Sequence, residues 1–335
     1  MNHFRWTLVW FLVVVVGVAI GSVCCSIWPN YRQCDEIDAT LMAELPERLS
    51  ETGLFEDFSS RQTPEGVFHF TPNHELWSDG AGKERWAYLP AGSQIDSSDM
   101  DFWSFPPGSK FWKEFRRDGK LLETRLFYKS GPHRSDWVGA AYLWDDDESD
   151  AFLTPDGAST ARGVDHIVPS AAECAACHGG VKSHILGFSA VQLPFDDVDA
   201  PMTLKELEDQ EMLSDPPEGP FVIPGDPMTQ NALGYLHANC AHCHNQHRPP
   251  TEGERCYDPQ NQLDFFLTTD SLGSPQATAT YQSAVGSSIE AGRPGSSQVV
   301  ELMSTRRHFY MPPLATSKID DEAVEAISAW IEAME

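Results

Sequence analysis

Two pentapeptides carry residue types and spacings suited to chemistry: Cys174-Ala175-Ala176-Cys177-His178 and Cys240-Ala241-His242-Cys243-His244. Each sets two thiols one helical turn apart with an imidazole directly after the second. Covalent haem attachment needs that arrangement, because the thiols add to the two vinyl groups while the imidazole reaches the iron from the same side. With this chain's Cys and His content, roughly 0.007 such pentapeptides are expected by chance, so a pair of them is a strong signal. A shared zinc ribbon would need its Cys pairs about 15 to 20 residues apart. Cys177 and Cys240 are 63 apart, and zinc would leave both trailing imidazoles without a role. A thioredoxin-like redox pair would follow a βαβ pattern, and neither motif does. The spacing therefore predicts two covalently attached haem c groups, with His178 and His244 as proximal iron ligands.

Each iron also has a sixth position. For the second haem the candidate is Met311 in Tyr310-Met311-Pro312-Pro313-Leu314, 67 residues after His244. A thioether in a proline-stiffened loop suits a soft axial contact that raises the potential. For the first haem His166, His184, Met202, Met212 and Met228 are within reach, and the β region adds His69, His74 and His133. His166 is the candidate carried forward, because Asp165-His166-Ile167-Val168-Pro169 reads as an extended run able to double back over a haem. An open sixth position is the alternative, and no residue is assigned as catalytic.

The elements that must position these groups lie in two textures. Val67 to about Thr154 reads as antiparallel β: Lys110–Arg116, an Asp118-Gly119 type I′ turn and Leu121–Lys129 form a hairpin, and Trp137–Trp144 is a further strand. Pro106-Pro107-Gly108, Gly131-Pro132 and the acidic run Asp145–Asp150 punctuate it. That run lacks the sixth-position Gly of a calcium loop and reads as a solvated turn. From Ser170 the texture changes. Thr203 and Glu206 form a capping box for a short helix through Met212, ended by Pro216-Pro217. Thr229–Asn239 reads as a helix entering the second motif. A last helix from Asp320 or Asp321 places Val324, Ile327, Ile331 and Met334 on one face.

The expected domains are a signal peptide or signal anchor over 1–26, an antiparallel β domain over 60–169, a first haem segment over 170–215, a linker over 216–227 and a haem domain over 228–335. The expected fold class is α+β, an N-terminal antiparallel β domain followed by a mostly α-helical cytochrome c-like domain. A length of 335 residues fits two domains, and 41% hydrophobic residues suffice for a core. A net charge of −27 opposes binding of a polyanion, so no nucleic-acid partner is expected, whereas a redox partner protein with a basic patch would be attracted. The apolar run from Trp6 to Val23 behind Arg5 marks export, periplasmic or otherwise extracytoplasmic, with membrane attachment only through that segment. Cys24-Cys25 lacks the usual lipobox before it. Cys34 and Cys256 remain as either a disulfide or two separate thiols.

From about Asp226 to Met334 the chain resembles a class I cytochrome c domain: Gly234 to Asn239 leading into the second motif, then Met311-Pro312-Pro313-Leu314, then Ile327-Ser328-Ala329-Trp330-Ile331. Leu76-Trp77-Ser78-Asp79-Gly80, Phe105 to Lys110, Glu123-Thr124-Arg125-Leu126 and Val168-Pro169-Ser170 extend the likeness to a family of exported bacterial dihaem c-type cytochromes with an N-terminal β domain. That resemblance implies haem binding and one-electron transfer and names no substrate. The competing class is a haem enzyme, a dihaem peroxidase or oxidase with an open first haem, or a redox subunit of a larger oxidoreductase. Dihaem peroxidases normally separate their motifs by much more than the 66 residues between Cys174 and Cys240.

Overall fold

A computed structural model describes residues 42, 45–248, 262–307 and 309–334. The export segment, Cys24, Cys25, Cys34 and Cys256 lie outside these, and with them the expectations on cleavage, lipidation and disulfide pairing. Among the described residues no helix is long and apolar enough to cross a membrane.

Six antiparallel strands form a meander in chain order: β1 (Val67–His69), β2 (Gly82–Tyr88), β3 (Lys110–Arg117), β4 (Lys120–Lys129), β5 (Trp137–Trp144) and β6 (Ala151–Leu153). The Asp118-Gly119 turn joins β3 to β4 with both residues at positive φ, 52° and 75°, as a type I′ turn requires. Strand alternation sends Trp86, Trp112, Leu126 and Ala140 to one face, where they pack under Leu45, Leu49, Leu54 and Phe55. The other face carries Ala87, Phe111 and Phe127, and it is covered by Cys174, Ile185, Phe188, Leu204 and Leu207 from the segment 170–215. The sheet is thus buried on both sides.

The helices are α1 (Ala171–His178), α2 (Leu204–Asp209), α3 (Pro227–Asn239), α4 (Ala279–Ser283), α5 (Gln298–Met303) and α6 (Asp321–Glu332). Both capping boxes form: Ser170 with Glu173 before α1, and Thr203 with Glu206 before α2, which stops short of the expected Met212. Asp226 caps α3 through the Thr229 amide at 2.8 Å with Pro227 in the first turn, so that helix starts two residues before the sequence reading.

The expected fold class is corrected here. The fold is dominated by the sheet, and the chain after Pro227 is not a mostly helical domain. Among the described residues there, only α3 and α6 exceed six residues. The cause is local: Gly286 and Gly292 take positive φ, and Pro275, Pro294, Pro312 and Pro313 interrupt any longer helix. This part still has a core, in which Leu233 and Leu236 of α3 pack with Ile327, Trp330 and Ile331 of α6. Nor is 216–227 a bare tether, since Ile223 is buried and Phe221 packs against both neighbouring cores.

Candidate haem-binding cavity

The first motif lies within α1. Cys174, Cys177 and His178 stand at i, i+3 and i+4, so one helix face presents both thiols and the imidazole. The second motif begins where α3 ends, with Cys240 as its C-cap. The turn persists there, because the Cys243 and His244 amides donate to the Cys240 carbonyl at 3.1 and 2.8 Å.

The two motifs meet. Asn245, fully buried, donates from Nδ2 to the Gly180 carbonyl at 2.9 Å and to the Ala241 carbonyl at 2.7 Å. Gly180 faces the His242 carbonyl so closely that a Cβ there would overlap it, which is why glycine occupies the position. A single cavity is walled by Cys174, Cys177 and His178 on one side and by His242, Cys243 and Pro312–Thr316 on the other; Cys240 and His244 are not in its wall. Its walls are mostly apolar, as a porphyrin face requires.

His178 is prepared as a ligand. Its Nδ1 donates to the His184 carbonyl at 2.6 Å, and burial pushes the imidazole down to about 3, so the ring is neutral with its lone pair on Nε2. Phe127 stacks on the ring at 3.8 Å, and Gly139, paired with Phe127 across β4 and β5, leaves room for that side chain. The His184 carbonyl is aimed by an unusual backbone, φ 59°. His244 has the edge of Phe265 against its ring at 5.8 Å, and its carbonyl accepts from the Phe265 amide.

The thiols argue against a redox dithiol. Burial raises Cys174 and Cys240 to about 12 and lifts Cys243 as well, the reverse of the depressed values that make a reactive pair. Among the described residues no three His, Cys, Asp or Glu side chains are arranged to hold a bare metal ion. The donor set fits a haem, which brings its own equatorial nitrogens and needs from the chain two thiols and an axial imidazole.

Met311 is half-buried and does not itself line the cavity, although the five residues after it do. Its loop is tied down by residues the sequence reading did not single out as a brace. The Arg306 guanidinium donates to the carbonyls of Met303, Thr305, Met311 and Lys318. Asp79 accepts from Thr316 Oγ1 at 2.6 Å, from the Ser317 amide and hydroxyl, and from the Lys318 amide. Burial would raise the Asp79 carboxyl, but those donors hold it below its usual value. Trp77 donates from Nε1 to the Lys318 carbonyl, and its amide donates to Asn239 Oδ1. Leu76-Trp77-Ser78-Asp79-Gly80 therefore joins the sheet, the end of α3 and the Met311 loop. The signal available in sequence was a Trp-Ser-Asp-Gly turn with Asp79 in the left-handed region, φ 55°.

His166 is buried with Nε2 on Glu123 Oε1 at 2.8 Å and is not part of the cavity wall. Of the other first-haem candidates, His184 supplies a carbonyl, Met202 and Met212 belong to the core, Met228 is exposed, and His69 stacks edge-on against Trp86. His133 lies in the β4–β5 connection. His74 does line the cavity; burial keeps it neutral, and its ring packs against Gly234 of α3.

Compared with family models, with curated proteins and with solved structures, the chain matches none.

Proposed function

We propose that this chain is an exported dihaem c-type cytochrome that passes single electrons. The observation that carries the reading is that Cys174, Cys177 and His178 of the first motif share a cavity wall with His242 and Cys243 of the second, and that the two motifs touch through Gly180, His242 and Asn245. When bound, haem iron supplies one-electron exchange between ferric and ferrous states. Cys174 and Cys177 would fix one macrocycle and Cys240 and Cys243 the other, with His178 and His244 as proximal ligands. The His184 carbonyl orients His178. The apolar wall excludes water, which keeps reorganisation on electron transfer small. Met311 is proposed for the sixth position of the second haem, in the loop that Arg306 and Asp79 brace. His74 is proposed for the first, because among the candidates it alone shares a wall with His178. The acidic surface would attract a redox partner through a basic patch.

The test is expression with a cytochrome c maturation system, then mass spectrometry of the denatured chain and visible and EPR spectra of the folded protein. Two added haem masses and two low-spin ferric signals are expected. An unmodified mass would end the reading. A high-spin signal from the first haem with peroxide-dependent turnover would replace the carrier by an enzyme.

A further inference from the structure

Three basic side chains stand side by side on the cavity face of the sheet, and burial together with Arg85, Lys83 and Arg125 pushes the Lys113 ammonium well below its ordinary value. Arg85 of β2 is paired directly with Lys113 of β3, and Lys113 directly with Arg125 of β4. All three line the cavity that holds Cys174, Cys177 and His178. Like charges placed directly across adjacent strands destabilise a sheet, and burial sharpens the repulsion. The chain is otherwise strongly acidic, so this row is no sample of its average surface.

Two of the three have carboxylates. Arg85 is bound by Glu75 at 2.9 Å, and Arg125 is bound by Glu123 through two donors at 2.6 and 3.0 Å. Glu123 is in turn held by His166 at 2.8 Å, which gives that buried histidine a positioning task. Lys113 has no such partner among the described residues; its near contact is the face of Phe115 at 5.0 Å. Glu173, the anion that lines the same cavity, is engaged in the capping box of α1. The cavity thus has a buried lysine between the Arg85 and Arg125 pairs, with no carboxylate of the described residues bonded to it.

We propose that the Arg85–Lys113–Arg125 row receives the two propionate carboxylates of the haem attached at Cys174 and Cys177, with Lys113 as the principal counter-ion. This rests on the haem reading above. A macrocycle joined to α1 by its vinyl groups carries two carboxylates away from that attachment, and the row offers charge-assisted donors in the same cavity.

The test uses the full chain matured with its haems, with Lys113→Met as the probe and Lys113→Arg as the conservative control. Mass spectrometry counts haems, a spectroelectrochemical titration follows the two reduction steps, and redox-difference infrared spectra follow propionate carbons labelled with ¹³C. Two haems are expected in every variant. Lys113→Met should move one step to lower potential, because the uncompensated carboxylate favours ferric iron, and should shift the labelled carboxylate bands; Lys113→Arg should restore both. In the unmutated protein the labelled bands should lie at ionised, ion-paired positions. Unmoved potentials and bands in Lys113→Met, or a protonated propionate band in the unmutated protein at neutral pH, would overturn the propionate assignment and leave the haem reading standing. Absence of any haem mass from the unmutated chain would overturn the haem reading, and this assignment with it.

Discussion

The surroundings of the two motifs differ in kind. The first lies inside a capped helix laid across a rigid sheet, where Phe127, seated over Gly139, stacks on the His178 ring and the His184 carbonyl holds its Nδ1. The second sits where a helix runs out, and its far wall is a proline-containing loop held by two side chains, the nearby Arg306 and the sequence-distant Asp79. A sheet holds a side chain through packing distributed over many neighbours, so single changes there shift geometry slightly. A loop held by a few polar anchors can lose its position when one anchor goes. The first site should therefore resist substitution in its walls, whereas the second should respond sharply to loss of its ties.

The largest expected effect tests whether the sites are independent. Cys177→Ala should weaken or abolish attachment of the first haem and leave the second, as seen by mass after denaturation; loss of both would mean that the shared contact at Asn245 makes them one folding unit. Next in size, Met311→Leu should abolish the near-infrared charge-transfer band of a methionine-ligated ferric haem. Met311→His should keep the haem attached and lower its potential, since imidazole donates more strongly than a thioether. Survival of the band in Met311→Leu would assign the ligand to another methionine. Asp79→Ala removes the acceptor for four donors in the loop and should cost about 3 kcal/mol in chemical denaturation. Its spectral change should be confined to the second haem, and an equal change at the first would erase the contrast drawn above.

Gly139→Ala tests the sheet side. The added methyl would drive Phe127 toward His178 and should cost about 1–3 kcal/mol, with a changed first-haem spectrum and an unchanged second. The smallest effect is one of pH. His237 is buried, its Nδ1 accepts the Leu267 amide at 3.1 Å, and burial pushes it down to about 3. An unfolded histidine titrates near about 6.5, so below that value the unfolded chain takes up a proton that the folded chain refuses. The stability contributed by neutral His237 is complete above about 6.5 and drains as pH falls toward about 3. His237→Gln, denatured at pH 7 and pH 5, should lose part of that slope; an identical slope would place the acid sensitivity elsewhere.

What could be read along the chain was whatever depends on near neighbours. The two pentapeptides, the Asp118-Gly119 hairpin, the Thr203–Glu206 capping box and the start of the last helix at Asp320 each rest on interactions within a few residues, and all lie where the residue pattern put them. The helical content after Pro227 was overread, because Leu233, Ile327 and Ile331 form a core without long helices around them. The cation row was illegible for a related reason. Arg85, Lys113 and Arg125 occur on strands whose register alone makes them neighbours, and a slip of one residue would send them to the opposite face.

The sequence by itself determined the chemistry that can occur: which thiols and imidazoles come in bonding sets, and where helices and turns begin, since these depend on covalent spacing and local backbone energetics. Only the tertiary structure decided that the first set shares a cavity with His242 and Cys243 of the second motif, that His166 turns to Glu123 while His74 faces the cavity, and that Asp79 anchors a loop more than two hundred residues away. Such contacts depend on packing and strand register, which join residues by shape and charge without regard to their separation along the chain.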